Sequence, residues 1–262
     1  MKSLKIFVFF LILATCLQAA TLVWPPQFQG SINMPSQSHG SGYSPYANEF
    51  WVPLWSGSTV YRYDKNGNAL GTFSSGQDQM MQLWGDTDGS YYTANWGYNT
   101  ITKKASMSNS TTLWSYNIGT TAGGVTADDN YVYAMTHTGN IVYKLNKNTG
   151  ALLGTITLSN MNTAGTGICG SLAIVDKYLV RGTYADGMIE YFDLATGTKM
   201  GSYSTGYNIY GMAFDGQNYY IHQNDSTYEI YTIANPTVPE PASLLLLVLG
   251  LAGIFSRIKK IV

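Results

Sequence analysis

The chain has 262 residues, and only 11% of them are charged, whereas Tyr (21) and Gly (28) are abundant. Residues 21–237 hold nine basic and 14 acidic residues, which leaves a formal net charge of −5, and Lys103-Lys104 is their only basic pair. Nucleic-acid binding needs a concentrated cationic surface. This composition therefore excludes nucleic acid as a partner and favours an extracellular β-rich protein, whose polar surface consists of hydroxyls and amides.

The first twenty residues have the organisation of a secretory signal peptide. A short basic start is followed by an apolar run and by small residues suited to cleavage: Lys2 and Lys5, then residues 6–14, then Ala19 and Ala20. The apolar run is too short to span a bilayer by itself. Residues 13–16 also loosely resemble a lipoprotein box, so lipidation of Cys16 stays open. We expect residues 1–20 to be removed and the remainder to be exported.

Residues 21–237 repeat one pattern of short strands. Three segments show it most clearly, each with a Tyr-containing strand, an Asp/Asn turn and a strand with a central Gly: residues 58–73, 139–156 and 187–203. Weaker copies occur at residues 99–103 and 226–231. Five units spaced roughly 41, 41, 48 and 37 residues apart are marked by Tyr61, Thr102, Tyr143, Tyr191 and about Tyr228. A period of this length indicates a repeat architecture.

Each unit has the sequence pattern of antiparallel hairpins. An apolar strand leads through an Asp-containing turn into a strand of aromatic and β-branched residues, and two more hairpin-connected strands follow. No segment has the 3.6-residue period of a helix. Four strands per unit of about 40 residues are the signature of a β-propeller blade. We predict an all-β propeller of about five four-stranded blades over residues 21–237; six blades are the alternative if residues 21–57 contain further strands.

The two ends of the repeat complement each other. The last unit ends at residues 231–234 without a fourth strand, whereas residues 28–32 have the fourth-strand pattern of residues 153–156. We predict that the N-terminal segment supplies the missing strand and closes the ring, which removes the open sheet edges.

The third and fourth strands contain Gly-x-hydrophobic-Tyr and Asp/Asn-x-x-Thr-Gly between them, and in two or three units they resemble blades of quinoprotein-like and lactonase-like propellers. The resemblance implies the fold and stops at blade level. No residues of a quinone site are present, so we expect no cofactor.

Other patterns in the body indicate no catalytic or metal site. Residues 165–170 match Gly-x-Gly-x-x-Gly, but an apolar strand at 172–175 follows instead of the helix that dinucleotide binding requires. The Asp86-x-Asp88-Gly turn has calcium-ligand residue types, yet its counterparts in other units are ordinary turns. The histidines fall in different units without zinc-ligand spacing: His39, His137 and His222. We predict neither a metal site nor a catalytic residue.

One face of the predicted propeller collects aromatic side chains. In a propeller, the hairpin from the second to the third strand and the connection from one blade to the next lie on the same face. We predict that a ligand-binding face is formed there by Trp55, Trp96, Tyr98, His137, Tyr184, Tyr207 and Tyr210. Flat rings beside amides can stack on sugars or contact a protein surface. Packing between blades is the alternative role for each of these rings.

The tail, residues 238–262, has three parts. A Pro-Glu-Pro sequence is followed by an apolar run at residues 244–255 and by a basic cluster: Pro239, Glu240 and Pro241, then Arg257, Lys259 and Lys260. This order resembles the PEP-CTERM sorting signal. The resemblance implies recognition by an exosortase, a membrane-embedded peptidase, in Gram-negative bacteria that often make exopolysaccharide. An ordinary C-terminal membrane anchor is the alternative.

The tail and the signal peptide predict the same topology. Twelve apolar residues form roughly 18 Å of transmembrane helix, a short span against a hydrocarbon core of about 30 Å. The basic cluster after it stays cytoplasmic by the positive-inside rule, which places the body outside. We expect a precursor anchored in the inner membrane by the C-terminal helix, and then a periplasmic, outer-surface or matrix location.

Three functions are compatible with these observations. The first is a non-enzymatic exported propeller that binds exopolysaccharide or a surface protein. The second is a propeller hydrolase or lyase acting on sugars or lactones. The third is a structural matrix component without a specific ligand. Acidic residues or a metal at the mouth of the central channel favour the second, and a channel plugged by small or apolar side chains favours the first.

Overall fold

The computed structural model describes residues 21–34, 40–162, 169–184, 186–222 and 227–235. Within these ranges, twenty strands form five four-stranded antiparallel sheets, each the blade of a propeller. The predicted signal peptide, with Cys16, lies outside the described residues, as do His39 and the sorting tail. None of the described residues belongs to a helix that is long and apolar enough to cross a membrane.

The blades are named A to E in chain order, with their strands given from the inside outwards. Blade A consists of β2 (Gly42–Ser44), β3 (Glu49–Pro53), β4 (Thr59–Tyr63) and β5 (Ala69–Ser74). Blade B consists of β6 (Met80–Gly85), β7 (Tyr91–Asn95), β8 (Thr100–Lys104) and β9 (Thr112–Asn117). Blade C consists of β10 (Ala122–Ala127), β11 (Tyr131–Thr136), β12 (Ile141–Asn146) and β13 (Leu152–Thr157).

The last two blades complete the ring. Blade D consists of β14 (Cys169–Val175), β15 (Tyr178–Thr183), β16 (Met188–Asp193) and β17 (Lys199–Ser204). Blade E consists of β18 (Gly211–Phe214), β19 (Asn218–His222), β20 (Thr227–Asn235) and, as its outer strand, β1 (Thr21–Asn33). The five-bladed ring and its closure by the N-terminal strand are both confirmed.

Apolar side chains fill the spaces between blades. Each of five buried clusters joins two neighbouring blades. Between blades A and B, for example, the cluster contains Trp51, Val60, Met80, Leu83 and Tyr91. Because a blade is covered on both sides, the second strand of each blade is buried along almost its whole length rather than at alternate residues. Burial between blades therefore holds the ring together.

In two of the five blades, the residue at the repeat position of the structure is one place away from the residue that the sequence comparison put there. A β-bulge between the third and fourth strands follows Arg62, Lys103, Lys144 and Tyr191 in blades A to D. The residues just before these are Tyr61, Thr102, Tyr143 and Glu190, and their counterpart in blade E is Glu229. Tyr191 and Tyr228 therefore lie one position away from the repeat position and face the other side of their strands.

The same bulge leaves one extra residue on every outer strand. The extra residues are all exposed to solvent: Leu70, Leu113, Leu153, Met200 and Gln29. A bulge interrupts the pattern of free backbone groups at a sheet edge, which hinders pairing with another chain. The repeated Gly after an apolar residue in the sequence marks this bulge.

The ring has two faces. We call the loop face the side that carries the hairpins between second and third strands and the connections between blades. We call the turn face the opposite side, with the turns between first and second and between third and fourth strands. Both described ends of the chain lie on the turn face, since β1 starts and β20 ends there, paired through Thr21 and Asn235.

Candidate functional site

Two tryptophans on the loop face form a contact between blades A and B. Trp55 and Trp96 lie in corresponding hairpins, with ring centroids 5.7 Å apart and planes inclined by 54°. Gln79, in the connection between the two blades, accounts for their proximity. Its backbone N–H donates to the carbonyl of Trp55 (2.9 Å), and its carbonyl accepts from the N–H of Trp96 (2.9 Å). The Trp96 side chain remains 37% exposed, so part of the pair faces solvent.

Two tyrosines form a second contact on this face, between blades D and E. The rings of Tyr184 and Tyr210 meet edge to face with centroids 4.7 Å apart, and the Tyr184 hydroxyl donates to that of Tyr210 (3.1 Å). The neighbouring Tyr184 hydroxyl, and then burial, raise the pKa of Tyr210 to about 12. Beneath them, the buried His222 ring stacks on Tyr228 at 4.7 Å. His222 is therefore a core residue below the surface pair.

The other predicted face residues lie on the same side of the ring. Tyr98 and Tyr207 are exposed by 58% and 45%. His137 is half-buried in the hairpin of blade C, where its backbone N–H donates to the carbonyl of Thr121 (2.7 Å). All seven residues thus share the loop face, four of them in two ring pairs. That they bind a ligand stays a prediction.

Charge is distributed unevenly between the two faces. Among the described residues of the loop-face hairpins and connections, the carboxylates are Asp78 and Asp186. The described turns of the opposite face carry many more charges: Asp64, Lys65, Asp86, Asp88, Asp128, Asp129, Lys147, Asp176, Lys177 and Asp215. The loop face therefore presents rings, hydroxyls and amides, and the turn face carries carboxylates and lysine ammonium groups.

The central channel is filled by a glutamine. Gln82 projects from β6 and is 1% exposed. Its Nε2 donates to the carbonyl of Leu172 (2.8 Å), and its Oε1 accepts from the N–H groups of Val125 and Leu172 (2.8 Å each). The corresponding positions of the other inner strands carry small residues, including Gly124, Ser171 and Gly211, which leaves room for this one long side chain. A polar residue within an otherwise apolar strand is the sequence signal for Gln82, and its role was not predicted from the sequence.

Aspartates surround the turn-face mouth of the channel. A cavity of about 180 Å³ is lined there by Asp86, Asp128 and Asp215 and by the stacked rings of Trp84 and Phe214. Each of these aspartates accepts a hydrogen bond from the next strand, from Tyr92, Tyr133 and Tyr220 (2.9, 3.1 and 3.1 Å). Burial, and then the nearby carboxylate, raises the pKa of all three tyrosines.

Further contacts bind the same carboxylates. The Oδ1 atoms of Asp128 and Asp215 accept backbone N–H groups of their own turns. Lys147 of blade C donates to Asp86 of blade B (3.0 Å), and Lys65 of blade A donates to Asp215 of blade E (3.0 Å). Asp86, Asp128 and Asp215 therefore hold turns and neighbouring blades together. Within the described ranges, no group of three or more His, Cys, Asp and Glu side chains could hold a metal ion.

Blade D contains a buried ionic group that the sequence did not predict. Arg181 and Glu190 are cross-strand partners, both fully buried, with Nη1 and Oε2 3.1 Å apart. Lys199 donates to the same carboxylate (2.6 Å), as does the backbone N–H of Asn162 (2.8 Å). In blade C the corresponding pair is Ala134 and Tyr143.

Comparison with known proteins identifies the tail and the fold. Residues 237–260 match the PEP-CTERM protein-sorting motif. The motif implies exosortase processing, export and sorting to the cell surface, and the matched residues include Pro239, Glu240, Pro241, Arg257, Lys259 and Lys260, which all lie outside the described structure. No curated protein sequence matches the chain.

The body resembles solved propellers in fold. The crystal structure of Myxococcus xanthus glutaminyl cyclase matches it with a TM-score of 0.59 and 10% identity, over 82% of this chain and 97% of that one. At this identity the likeness supports the five-bladed architecture, and it does not assign the activity of that enzyme to this chain.

Proposed function

We propose that this exported, exosortase-sorted propeller is a non-enzymatic binding module whose loop face engages extracellular polysaccharide. The observation that carries the proposal is the separation of chemistry between the two faces. Rings and amides collect on the loop face, whereas the charged side chains of the described turns collect on the turn face. Sugars stack on aromatic rings through their C–H faces and hydrogen-bond to neutral polar groups, which is the chemistry of the loop face.

The positions of the chain ends support the same reading. The sorting motif begins at residue 237, two residues after Asn235, which ends β20 on the turn face. The chain leaves the ring on this face, and the nine residues from Asn235 to the start of the apolar run at residue 244 span at most about 32 Å. A tail held in the membrane would therefore draw the turn face towards the bilayer. The loop face, with Trp96 and Tyr184, would then point outwards.

The central channel offers less support for the hydrolase or lyase alternative. Asp86, Asp128 and Asp215 do converge at one mouth, as that alternative requires. However, each accepts a tyrosine hydroxyl, and Asp86 and Asp215 also bind a lysine. A general acid or base needs a carboxyl group that can exchange its proton with a substrate. We propose a structural role for these carboxylates, and we do not transfer the activity of the glutaminyl cyclase.

The proposal is tested with the full-length protein in mild detergent on an array of immobilised neutral and acidic bacterial exopolysaccharides. We expect wild-type binding, and at least about tenfold weaker binding after Trp96→Ala or Tyr184→Ala, since rings at a binding site often contribute 1.4 kcal/mol or more. Leu153→Ala is the matched control, because it removes a side chain that is 52% exposed on an outer strand. It should bind like the wild type.

Two results would overturn the proposal. One is the absence of wild-type binding to every polysaccharide on the array. The other is unchanged binding in both ring variants, with melting temperatures that match the wild type. Recovery of a surface protein instead of a glycan would favour the protein-binding alternative. Hydrolysis or elimination of the bound polysaccharide by the wild type would favour the enzymatic one.

A further inference from the structure

A second cavity lies on the turn face between blades A and B, away from the loop-face rings. Its volume is about 390 Å³, within the range of small-molecule sites. Blade A contributes Tyr46, Trp51, Arg62 and Phe73, and blade B contributes the turn at Asp88 and the serines of the turn at residues 105–111. The cavity thus combines aromatic walls with one cation and one carboxylate.

Arg62 is held in a fixed orientation at this cavity. Its Nε and Nη2 donate to the two carboxylate oxygens of Glu49, each at 2.7 Å, and the indole N–H of Trp51 donates to Glu49 as well (2.8 Å). Glu49 and Trp51 are buried, whereas the Arg62 side chain is 29% exposed. A guanidinium has five N–H donors. Within the described part of the chain, the remaining three have no protein acceptor.

Asp88 supplies an acceptor on the opposite wall. Its Oδ1 accepts from the backbone N–H of Ser90 (2.8 Å), while Oδ2 lies 3.9 Å from Nζ of Lys103, beyond hydrogen-bonding distance. The Asp88 side chain is 61% exposed. Burial alone would raise its pKa, but the hydrogen bonds from Ser90 outweigh this and lower it. The carboxylate is therefore ionised and free to accept a hydrogen bond at one oxygen.

An aromatic ring closes the rim of the cavity. Tyr46 is 67% exposed, and its ring covers Gly89, where an added Cβ would lie 3.4 Å from ring atoms. Below it, Trp51 and Phe73 meet edge to face at 5.3 Å. One exposed ring, one buried ring and one half-buried ring form an apolar wall with a donor and an acceptor beside it.

We propose that this cavity binds one neutral sugar unit, stacked against Tyr46, with Arg62 donating to its hydroxyl oxygens and Asp88 accepting from a hydroxyl. A hydroxyl both donates and accepts, so neighbouring sugar hydroxyls satisfy both groups at once. The formal charges cancel in pairs, Arg62 with Glu49 and Lys103 with Asp88. A charged ligand would have no compensating charge there, and burying it would be costly. This site is independent of the loop face.

The probes are methyl glucoside, methyl galactoside and N-acetylglucosamine, with glucuronate as the charged counterpart. Binding to the full-length protein in detergent is measured by saturation-transfer NMR titration. We expect a Kd on the order of 1 mM for at least one neutral probe, as for a ligand with few atoms. Tyr46→Ala and Ser108→Trp should each weaken it at least tenfold. Ser108 is exposed at the cavity, so the new indole fills the cavity without removing a core contact.

The controls separate this site from the loop face. Leu153→Ala should leave binding of the sugar probe unchanged, and in Trp96→Ala the component of binding that Tyr46→Ala and Ser108→Trp remove should persist. Binding that persists in both Tyr46→Ala and Ser108→Trp, or a wild type that binds none of the neutral probes, would overturn the proposal. Binding of glucuronate alone would overturn the neutral assignment. Loss of probe binding in Trp96→Ala would place the sugar on the loop face instead.

Discussion

Thr21, the first residue of β1, pairs with Asn235, the last residue of β20, so the two described ends of the chain are joined within one blade. The pairing continues to Asn33 and Thr227. Two consequences follow. The segments that precede and follow the described body both leave from the turn face, and blade E depends on residues from both ends of the sequence.

Because the ends are adjacent, a circular permutant should fold. In this permutant, a short Gly-Ser linker joins Asn235 to Thr21, and new ends are opened between Gly119 and Thr120, in an exposed connection between blades B and C. We expect a monomer that melts within about 4 °C of the parent body, a change of about 1 kcal/mol. The measurements are size exclusion and thermal unfolding by circular dichroism.

Removal of β1 is the counterpart experiment. A chain that lacks residues 21–33 exposes the edge of β20 and loses the rings of Phe28 and Trp24, which contact Tyr231 and Tyr191. We expect aggregation, because an open edge strand templates pairing between chains. A soluble, cooperatively unfolding monomer from this deletion would contradict the role of β1 in closing the ring.

Gln82→Met should destabilise the body strongly. Met has a similar shape but no polar group, so the N–H groups of Val125 and Leu172 and the carbonyl of Leu172 lose their partner. Each buried unsatisfied group costs about 1–3 kcal/mol, and we expect a loss of at least about 3 kcal/mol in urea unfolding. Gln29→Met makes the same chemical change at an exposed outer-strand position and should cost less than about 0.5 kcal/mol. Equal stability of the two variants would show that Gln82 is not needed in the channel.

The buried Arg181–Glu190 pair of blade D can be tested by removing one charge or both and comparing the stability of the variants. Glu190→Gln leaves the Arg181 charge buried without its counter-ion, and we expect a cost of about 3–5 kcal/mol. Arg181→Ala combined with Glu190→Tyr installs the Ala134–Tyr143 pair of blade C. This double variant should be more stable than Glu190→Gln, since it removes the buried guanidinium together with the carboxylate that balances its charge. Urea unfolding measures both, and a double variant less stable than the single one would contradict this account.

Asp193 should contribute to the pH dependence of stability. Hydrogen bonds from the backbone of Thr196, and then from its hydroxyl, lower the pKa of this carboxyl. The contribution of Asp193 to the free energy of unfolding is therefore fully present above the unfolded-state pKa of about 3.9. It is lost as the pH falls through the lower, folded-state pKa. In Asp193→Asn the amide oxygen still accepts these bonds, as Asn146 does in blade C. We expect its melting temperature to fall less than that of the wild type between pH 5 and about pH 2.

Asp129→Asn is the control for this pH series. It removes the same charge at an exposed turn residue that makes no hydrogen bond within the described ranges. Its melting temperature should follow that of the wild type at every pH. If Asp193→Asn does the same, the turn carboxylate does not contribute to acid sensitivity.

The repeat was readable from the sequence, but its register was not readable throughout. Blades A and C align by their Tyr-containing strands, and the structure retains that alignment for Tyr61 and Tyr143. In blade D the interval from the hairpin Gly to the turn Asp is one residue shorter, from Gly187 to Asp193 instead of Gly139 to Asn146. The difference lies in the hairpin, so alignment on Gly moves every following residue to the wrong side of its strand.

The candidate site was predicted in part for a similar reason. The strand order of a propeller fixes which loops share a face, and this placed all seven predicted residues on the loop face. The sequence could not show that Trp55 meets Trp96 or that Tyr184 meets Tyr210. Those contacts depend on side-chain directions and on connections such as Gln79, whose left-handed backbone (φ 49°) links two hairpins.

The sequence by itself determined the sorting motif, the five-bladed ring and its closure, because these depend on local patterns of apolar residues, turns and charge. Only the tertiary structure decided the Gln82 plug, the buried Arg181–Glu190 pair and the cavity beside Arg62. Gln82 bonds to Leu172, 90 residues further along the chain, and the cavity walls come from two blades. Such contacts arise where separate blades meet, and the order of residues within one blade does not encode them.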